Sequence, residues 1–361
     1  MPKLSGNKGE WSEVYVLLRL LDIGKLYAAD ENLNKQDNVF YNILNIVRKE
    51  EIGNLEFRVS KEKDKISVYN TDSNEELLCM NRTIFKEQAD SLYNDIIKSN
   101  TSAFTIENTE RFLNEMKINT LKAKSTDKAD IRIKIHDINS GYESIQGFSI
   151  KSRLGSASTL INAGKTTNFI FEVENCNDSI AEKYNTFSKQ FKERFTQLDE
   201  KCKLKYIGME NETFESNLIL LDGSLPEICA NMLIEYYKNG TSKVCEGLDI
   251  ITEKNPMNFN MSKGQPFYSY KFKKLLTESA LGMLPSKSWD GQADATGGYI
   301  IVREDGEVLC YHLFNRNEFE NYLIKNTKFE TPSTSRHRFG NIYKENGKFY
   351  LKLNLQIRFI K

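Results

Sequence analysis

Apolar residues in KGEWSEVYVLLRLL (8–21) recur at helical spacing, with Trp11, Val14, Leu17, Leu18 and Leu21 on one side. Ser5 or Asn7 can cap this helix, and Gly24 can end it. Residues 38–49 mix apolar and polar positions without a clear period. FRVS (57–60) and KISVYN (65–70) alternate around a KEKD turn, which predicts a hairpin. Thr83–Ser99 and Ile106–Lys117 return to helical spacing, with Asn81 and Thr105 as caps.

The pattern is sharpest in the middle of the chain. DIRIKIHD (130–137) alternates strictly over Ile131, Ile133 and Ile135, NSG (139–141) reads as a turn, and SIQGFSIKS (144–152) as a returning strand. LGSASTLINAGK (154–165) predicts a short helix entered through Gly155 and Ser156, and NFIFEVE (168–174) a third strand. Residues 179–201 and 226–238 predict amphipathic helices, and 255–266 is rich in Gly, Asn and Pro. The last part holds a helix (270–281), strands at 298–304 and 307–314 around Asp305-Gly306, and a strand pair (341–359) turning at Asn346-Gly347. The expected class is mixed α/β, with a central mixed sheet flanked by helices. Four stretches follow: a first core helix (1–25), an N-terminal α+β region (26–125), a catalytic core (126–260) and a β-rich C-terminal region suited to DNA recognition (261–361).

Composition narrows the function by exclusion. No run of about 18 apolar residues occurs, so no membrane-spanning helix is expected. MPKLSGNKGEW lacks the apolar centre of a signal peptide, and a cytoplasmic setting is expected. The six cysteines have no CxxC spacing and the chain has three histidines, which argues against a zinc or histidine-centred site. Fifty basic residues balance fifty acidic ones, so net charge says nothing about nucleic acid. Its distribution does: from His337 to the end, Arg338, Lys344, Lys348, Lys352, Arg358 and Lys361 stand against Glu345 alone. Such an end suits phosphate contact.

The candidate chemistry lies in the central hairpin. Ser149 and Lys151 alternate onto one strand face, and antiparallel pairing brings Asp130 beside them. Phosphodiester hydrolysis asks for this set: a carboxylate to hold Mg²⁺, and a lysine to orient a water and offset transition-state charge. The arrangement resembles the PD-(D/E)xK nuclease superfamily in its SxK variant. The order of helix, strand hairpin, helix and strand is similar to that fold, a restriction-endonuclease-like core. Ser149 stands where a second acid is expected, so another carboxylate must come from elsewhere. Lys8-Gly9-x-x-x-Glu13 resembles the KGxxxE helix of Holliday-junction resolvases, whose glutamate points at the metal. Glu13 is thus the first candidate, with Glu10, Glu172 and Glu174 behind it.

The segments 9–35, 147–169, 294–313 and 329–359 resemble HpaII-type restriction endonucleases. That resemblance implies a Mg²⁺-dependent type II enzyme cutting double-stranded DNA at a short palindrome, CCGG being the site associated with the family. It also implies a separate DNA methyltransferase as a functional rather than physical partner. The active-site matches are Asp130, Ser149 and Lys151, with Ser149 read as the family's own form of the motif. A palindrome suggests a homodimer, with a monomer cutting the strands in turn as the alternative. For DNA contact the sequence offers Arg153, Ser156, Ser158, Thr159 and Asn162, continued by Thr166, Thr167 and Asn168 as a polar surface at a helix N-terminus. It also offers a loop with Thr334, Arg336, His337 and Arg338, where arginine can read guanine. Competing functions are a junction-selective nuclease and a non-catalytic DNA-binding protein.

Overall fold

The computed structural model describes residues 3–60, 64–122, 129–138 and 140–361. In chain order its elements are α1 (Lys8–Ile23), β1 (Lys25–Ala29), β2 (Lys35–Glu50), β3 (Gly53–Ser60), β4 (Lys65–Asn70), β5 (Glu75–Asn81), α2 (Arg82–Lys98), α3 (Glu107–Glu115), β6 (Ile131–Asp137) and β7 (Glu143–Ser152). There follow β8 (Thr159–Ile161), β9 (Asn168–Glu174), α4 (Asp178–Thr186), α5 (Phe191–Phe195), β10 (Lys203–Met209), α6 (Glu212–Leu221), α7 (Leu225–Ile234), α8 (Val244–Lys254) and α9 (Phe267–Leu281). The chain ends with β11 (Gly298–Val302), β12 (Val308–His312), α10 (Arg316–Lys325), β13 (Thr327–Phe329), α11 (Thr334–His337), β14 (Ile342–Glu345), β15 (Lys348–Asn354) and β16 (Ile357–Phe359). This is a mixed α/β protein. Compactness groups it into residues 1–158, 293–319 and 361 as one unit and 159–292 with 320–360 as another.

Unit one is built on a nine-stranded mixed sheet, ordered β1-β12-β11-β7-β6-β2-β3-β4-β5. β1 also pairs with β2, so six of these strands close on themselves and β3 to β5 extend from the ring. β11 runs parallel to β7 and antiparallel to β12. One face of the sheet carries Ile131, Ile133, Ile135, Phe148, Ile150, Ile300 and Val302 and packs with α1 into a single apolar core. α1 is buried almost all round, with Trp11, Val14, Tyr15, Val16, Leu18, Leu20 and Leu21 fully enclosed. A helix so enclosed is a core element rather than a surface one. Its start is fixed by a capping box: Asn7 accepts from the N–H groups of Gly9 and Glu10, and Glu10 accepts from that of Asn7. Gly24 ends it at φ +66°.

Unit two holds a four-stranded antiparallel sheet, β10-β9-β15-β14, a three-stranded sheet, β13-β16-β8, and helices α4 to α9. The β14–β15 turn has positive φ at both Asn346 and Gly347, as an Asn-Gly hairpin requires. No single helix among the described residues is long and apolar enough to cross a membrane.

Several expectations need correction. The stretch 154–165 is not a helix: bends lead into β8, and Lys165–Thr167 is one 3-10 turn. Glycines at 155 and 164 and the β-branched Thr159 and Ile161 favour this outcome. The strand that runs beside β7 opposite β6 is β11, more than 140 residues later. Residues 168–174 do form a strand, but in the other sheet. The helix predicted over 179–201 breaks into α4 and α5. Asn81 caps α2 without a side-chain bond, and Ile106, not Thr105, is the cap of α3. The KEKD turn residues 61–63 and Asn139 lie outside the described residues.

Candidate active site

The hairpin of β6 and β7 places the candidate residues on the sheet face opposite α1. Ile131 pairs with Phe148, which puts Asp130 opposite Ser149 just beyond the end of β6. Here the regular ladder stops. The Asp130 N–H donates to the Phe148 carbonyl at 2.9 Å. Its carboxylate Oδ2 then accepts the Ile150 N–H at 2.6 Å and the Ser149 hydroxyl at 3.1 Å. A side-chain oxygen thus takes a bond that a backbone carbonyl would otherwise supply. Charge-assisted bonds of this kind are short and directional, and they fix the carboxylate to the strand. Among the described residues nothing bonds Oδ1.

Gly147 makes this approach possible. A Cβ built there would lie 2.7 Å from that of Ala129. The glycine also ties in the next segment, since its carbonyl accepts the Gly297 N–H at 2.8 Å and its own N–H donates to Thr296 at 3.3 Å. An isolated glycine inside a strand was the available sequence signal for such a close contact.

Lys151 lies two residues beyond Ser149 on the same face. Its Nζ sits 5.4 Å from the ring centre of Tyr299, which β11 places opposite Ser149 in parallel register. Tyr299 is buried and packs on Phe319 at 5.2 Å between ring centres. Nothing in the spacing of the central motif pointed to a partner from residue 299.

A family model described as HpaII restriction endonuclease matches residues 7–359 of this chain. The Type II restriction enzyme HpaII of Haemophilus parainfluenzae is 43% identical over 360 residues, 99% of each chain. The chain belongs to the HpaII restriction endonuclease family. No solved structure matches it.

For this family member, the acids offered by the sequence occupy different settings. Glu13 is half-buried on α1. The neighbouring Ser12 donates to the Lys8 carbonyl and bonds Ser152 at 2.8 Å, so this turn of α1 abuts the Lys151 end of β7, on the opposite face of the strand. Glu10 is engaged by the capping box and by Lys122 at 2.8 Å, and the Lys122 bond holds its carboxyl below the usual range. Glu172 is paired with Lys348 at 3.0 Å, and Glu174 lies opposite Lys203 in unit two. Among the described residues no three Asp, Glu, His or Cys side chains converge as a ready cation cage. His312 is buried against Tyr41 and Phe148, and burial pushes its pKa down to about 4, so it is a neutral core residue.

The residues proposed for DNA contact also divide. Arg153, Ser156 and Ser158 fall in unit one, Thr159 and Asn162 in unit two. Ser156 and Asn162 are exposed. No helix N-terminus exists here to bind phosphate. Thr167 and Asn168 are fully buried and are not a polar surface. Thr334, Arg336 and Arg338 are exposed and His337 is half-buried. Their loop is a single helical turn, α11, capped by Ser333.

Proposed function

We propose that this chain is a Mg²⁺-dependent type II restriction endonuclease with a PD-(D/E)xK core, hydrolysing double-stranded DNA at a short palindrome. CCGG is the site first expected. The observation that carries the mechanism is the anchored Asp130 carboxylate with Ser149 and Lys151 on the same strand face. Asp130 Oδ1 suits a hard, oxygen-seeking cation, because Oδ2 alone satisfies the protein. Bound there, the cation would polarise the scissile phosphate and acidify a water. Ser149 holds Asp130 in place. Lys151 Nζ orients the water and balances charge that builds on the phosphate. Tyr299 closes one side of the lysine.

We assign the second carboxylate to Glu13 on the likeness of its Lys8-Gly9-x-x-x-Glu13 helix to the KGxxxE helix of nucleases and on its half-burial on α1. The Ser12–Ser152 bond beside it lies on the other face of β7 from Asp130 and does not bear on the assignment. The basic side chains Arg153, Arg336 and Arg338, with Ser156, Ser158, Thr159, Asn162, Thr334 and His337, contact DNA in this reading. A homodimer matches a palindromic substrate, a cognate methyltransferase protects host DNA, and the enzyme works in the cytoplasm, where that DNA is.

Purified protein incubated with plasmid and Mg²⁺ gives discrete fragments under this reading. Cleavage confined to cruciform DNA would favour a junction nuclease, and a gel shift without cutting a binding protein. Glu13→Gln abolishes cleavage but not DNA binding. Normal cutting by that variant moves the second-acid role elsewhere.

A further inference from the structure

Unit two contains an open cleft of about 410 Å³ lined by Thr334, Ser335, Arg338, Asn341, Tyr343 and Lys352, with Phe339 at its floor. Its position is set from beneath by a buried network. Asn168, fully enclosed, donates to the His337 carbonyl at 2.9 Å and to Glu210 at 2.6 Å. Asn354, also enclosed, donates to Asn168 at 2.7 Å and to the Gly164 carbonyl. The other oxygen of Glu210 pairs with Lys352 at 3.0 Å. On the far wall, buried Arg194 donates to Asn341 Oδ1 at 2.9 Å. Asn354 Oδ1 has no partner among the described residues, but the bonds from both amide nitrogens tie the His337 carbonyl, Glu210 and Gly164 into one arrangement beneath the cleft.

Arg338 stands out in this frame. It occupies the left-handed C-cap of α11 at φ +54°, a position that glycine or asparagine fills at less cost. The backbone is strained here with an arginine in place. Lys344, Lys348, Lys352 and Arg358 in the same basic end each pair with an acid. Arg338 has no such partner among the described residues.

We propose that this cleft clamps one phosphodiester of the DNA backbone, with Arg338 as its principal contact. The lining offers donors: the guanidinium, the Lys352 ammonium, the Asn341 amide N–H and the Thr334 and Ser335 hydroxyls. Asn341 Oδ1 and both oxygens of Glu210 are already engaged, and the Thr334, Ser335 and Tyr343 hydroxyls can donate as well as accept. A phosphodiester presents only acceptors. Shape makes the same choice. Base edges lie at the floor of a groove, where a protruding side chain reaches them, whereas the phosphate ribbon projects outward and enters a concave site. This inference rests on the DNA-cleaving reading. It gives Arg338 a positioning role on the backbone and leaves Arg336, exposed on the same turn, as the candidate for bases.

Arg338→Gly relieves the left-handed strain, so the variant folds with a melting temperature no lower than the parent. Fluorescence anisotropy on cognate and scrambled duplexes, with Ca²⁺ in place of Mg²⁺ and a salt titration, reads the contact. The expected result is about tenfold weaker binding to both duplexes, and a log–log salt slope shallower by about one. Unchanged affinity and slope would overturn the clamp. So would a loss confined to the cognate duplex with the slope intact, which is guanine readout. Absence of duplex binding by the parent protein would instead sink the nuclease reading itself.

Discussion

The hairpin end that carries Asp130 and the turn that carries Arg338 hold their polar groups in opposite ways. At Asp130 the side chain is fixed: two donors from the neighbouring strand seize one carboxylate oxygen. At Arg338 the backbone is fixed by a buried network below and held at a strained φ, while the side chain has no acid partner among the described residues. The difference fits the tasks proposed for them. Chemistry tolerates little displacement of a reacting group. A phosphate clamp needs the right anchor point and a side chain long enough to adapt.

The largest test of that contrast is Asp130→Asn. It keeps the shape and loses the charge, so single-turnover cleavage should fall by about three orders of magnitude or more. Duplex binding in Ca²⁺ should change little, the inverse of Arg338→Gly. Equal losses in cutting and binding would erase the division of labour.

Next in size is an acid effect in unit one. His312 in unit one has its pKa pushed down to about 4 by burial, from an ordinary value near 6.5. Its Nδ1 accepts the Phe314 N–H, and its Nε2 has no acceptor among the described residues. Below about pH 6.5 the unfolded chain takes up the proton and the folded chain does not. Stability is therefore full above that pH and drains away towards pH 4, by roughly 3 kcal/mol. Urea unfolding at stepped pH measures it, and His312→Phe should flatten the slope. A slope unchanged by that substitution would assign the acid loss to other groups.

The smallest effect belongs to Ser149→Ala, which removes one of two donors to Asp130. A cost of about 1 kcal/mol is expected, seen as a several-fold drop in cleavage rate with binding intact. A loss as deep as that of Asp130→Asn would mean that Ser149 takes part in the chemistry rather than in holding the carboxylate.

The sequence by itself determined what depends on near neighbours. Helix α1 from its apolar period, capping residues and Gly24, the β6–β7 hairpin from strict alternation, and the Asn346-Gly347 turn were all legible because each rule spans only a few residues. So was the facing of Asp130, Ser149 and Lys151, since strand period and antiparallel register leave little choice. The sequence resemblance also pointed to the family that the comparisons bear out. Only the tertiary structure decided which strand flanks β7, because residues 298–302 and 168–174 carry similar apolar runs and nothing local ranks them. It also decided that Asn168 is buried under the Arg338 turn rather than exposed on a surface. A polar residue enters a core only when partners far along the chain satisfy it, here Glu210, His337 and Asn354, and those partners meet only in the folded protein.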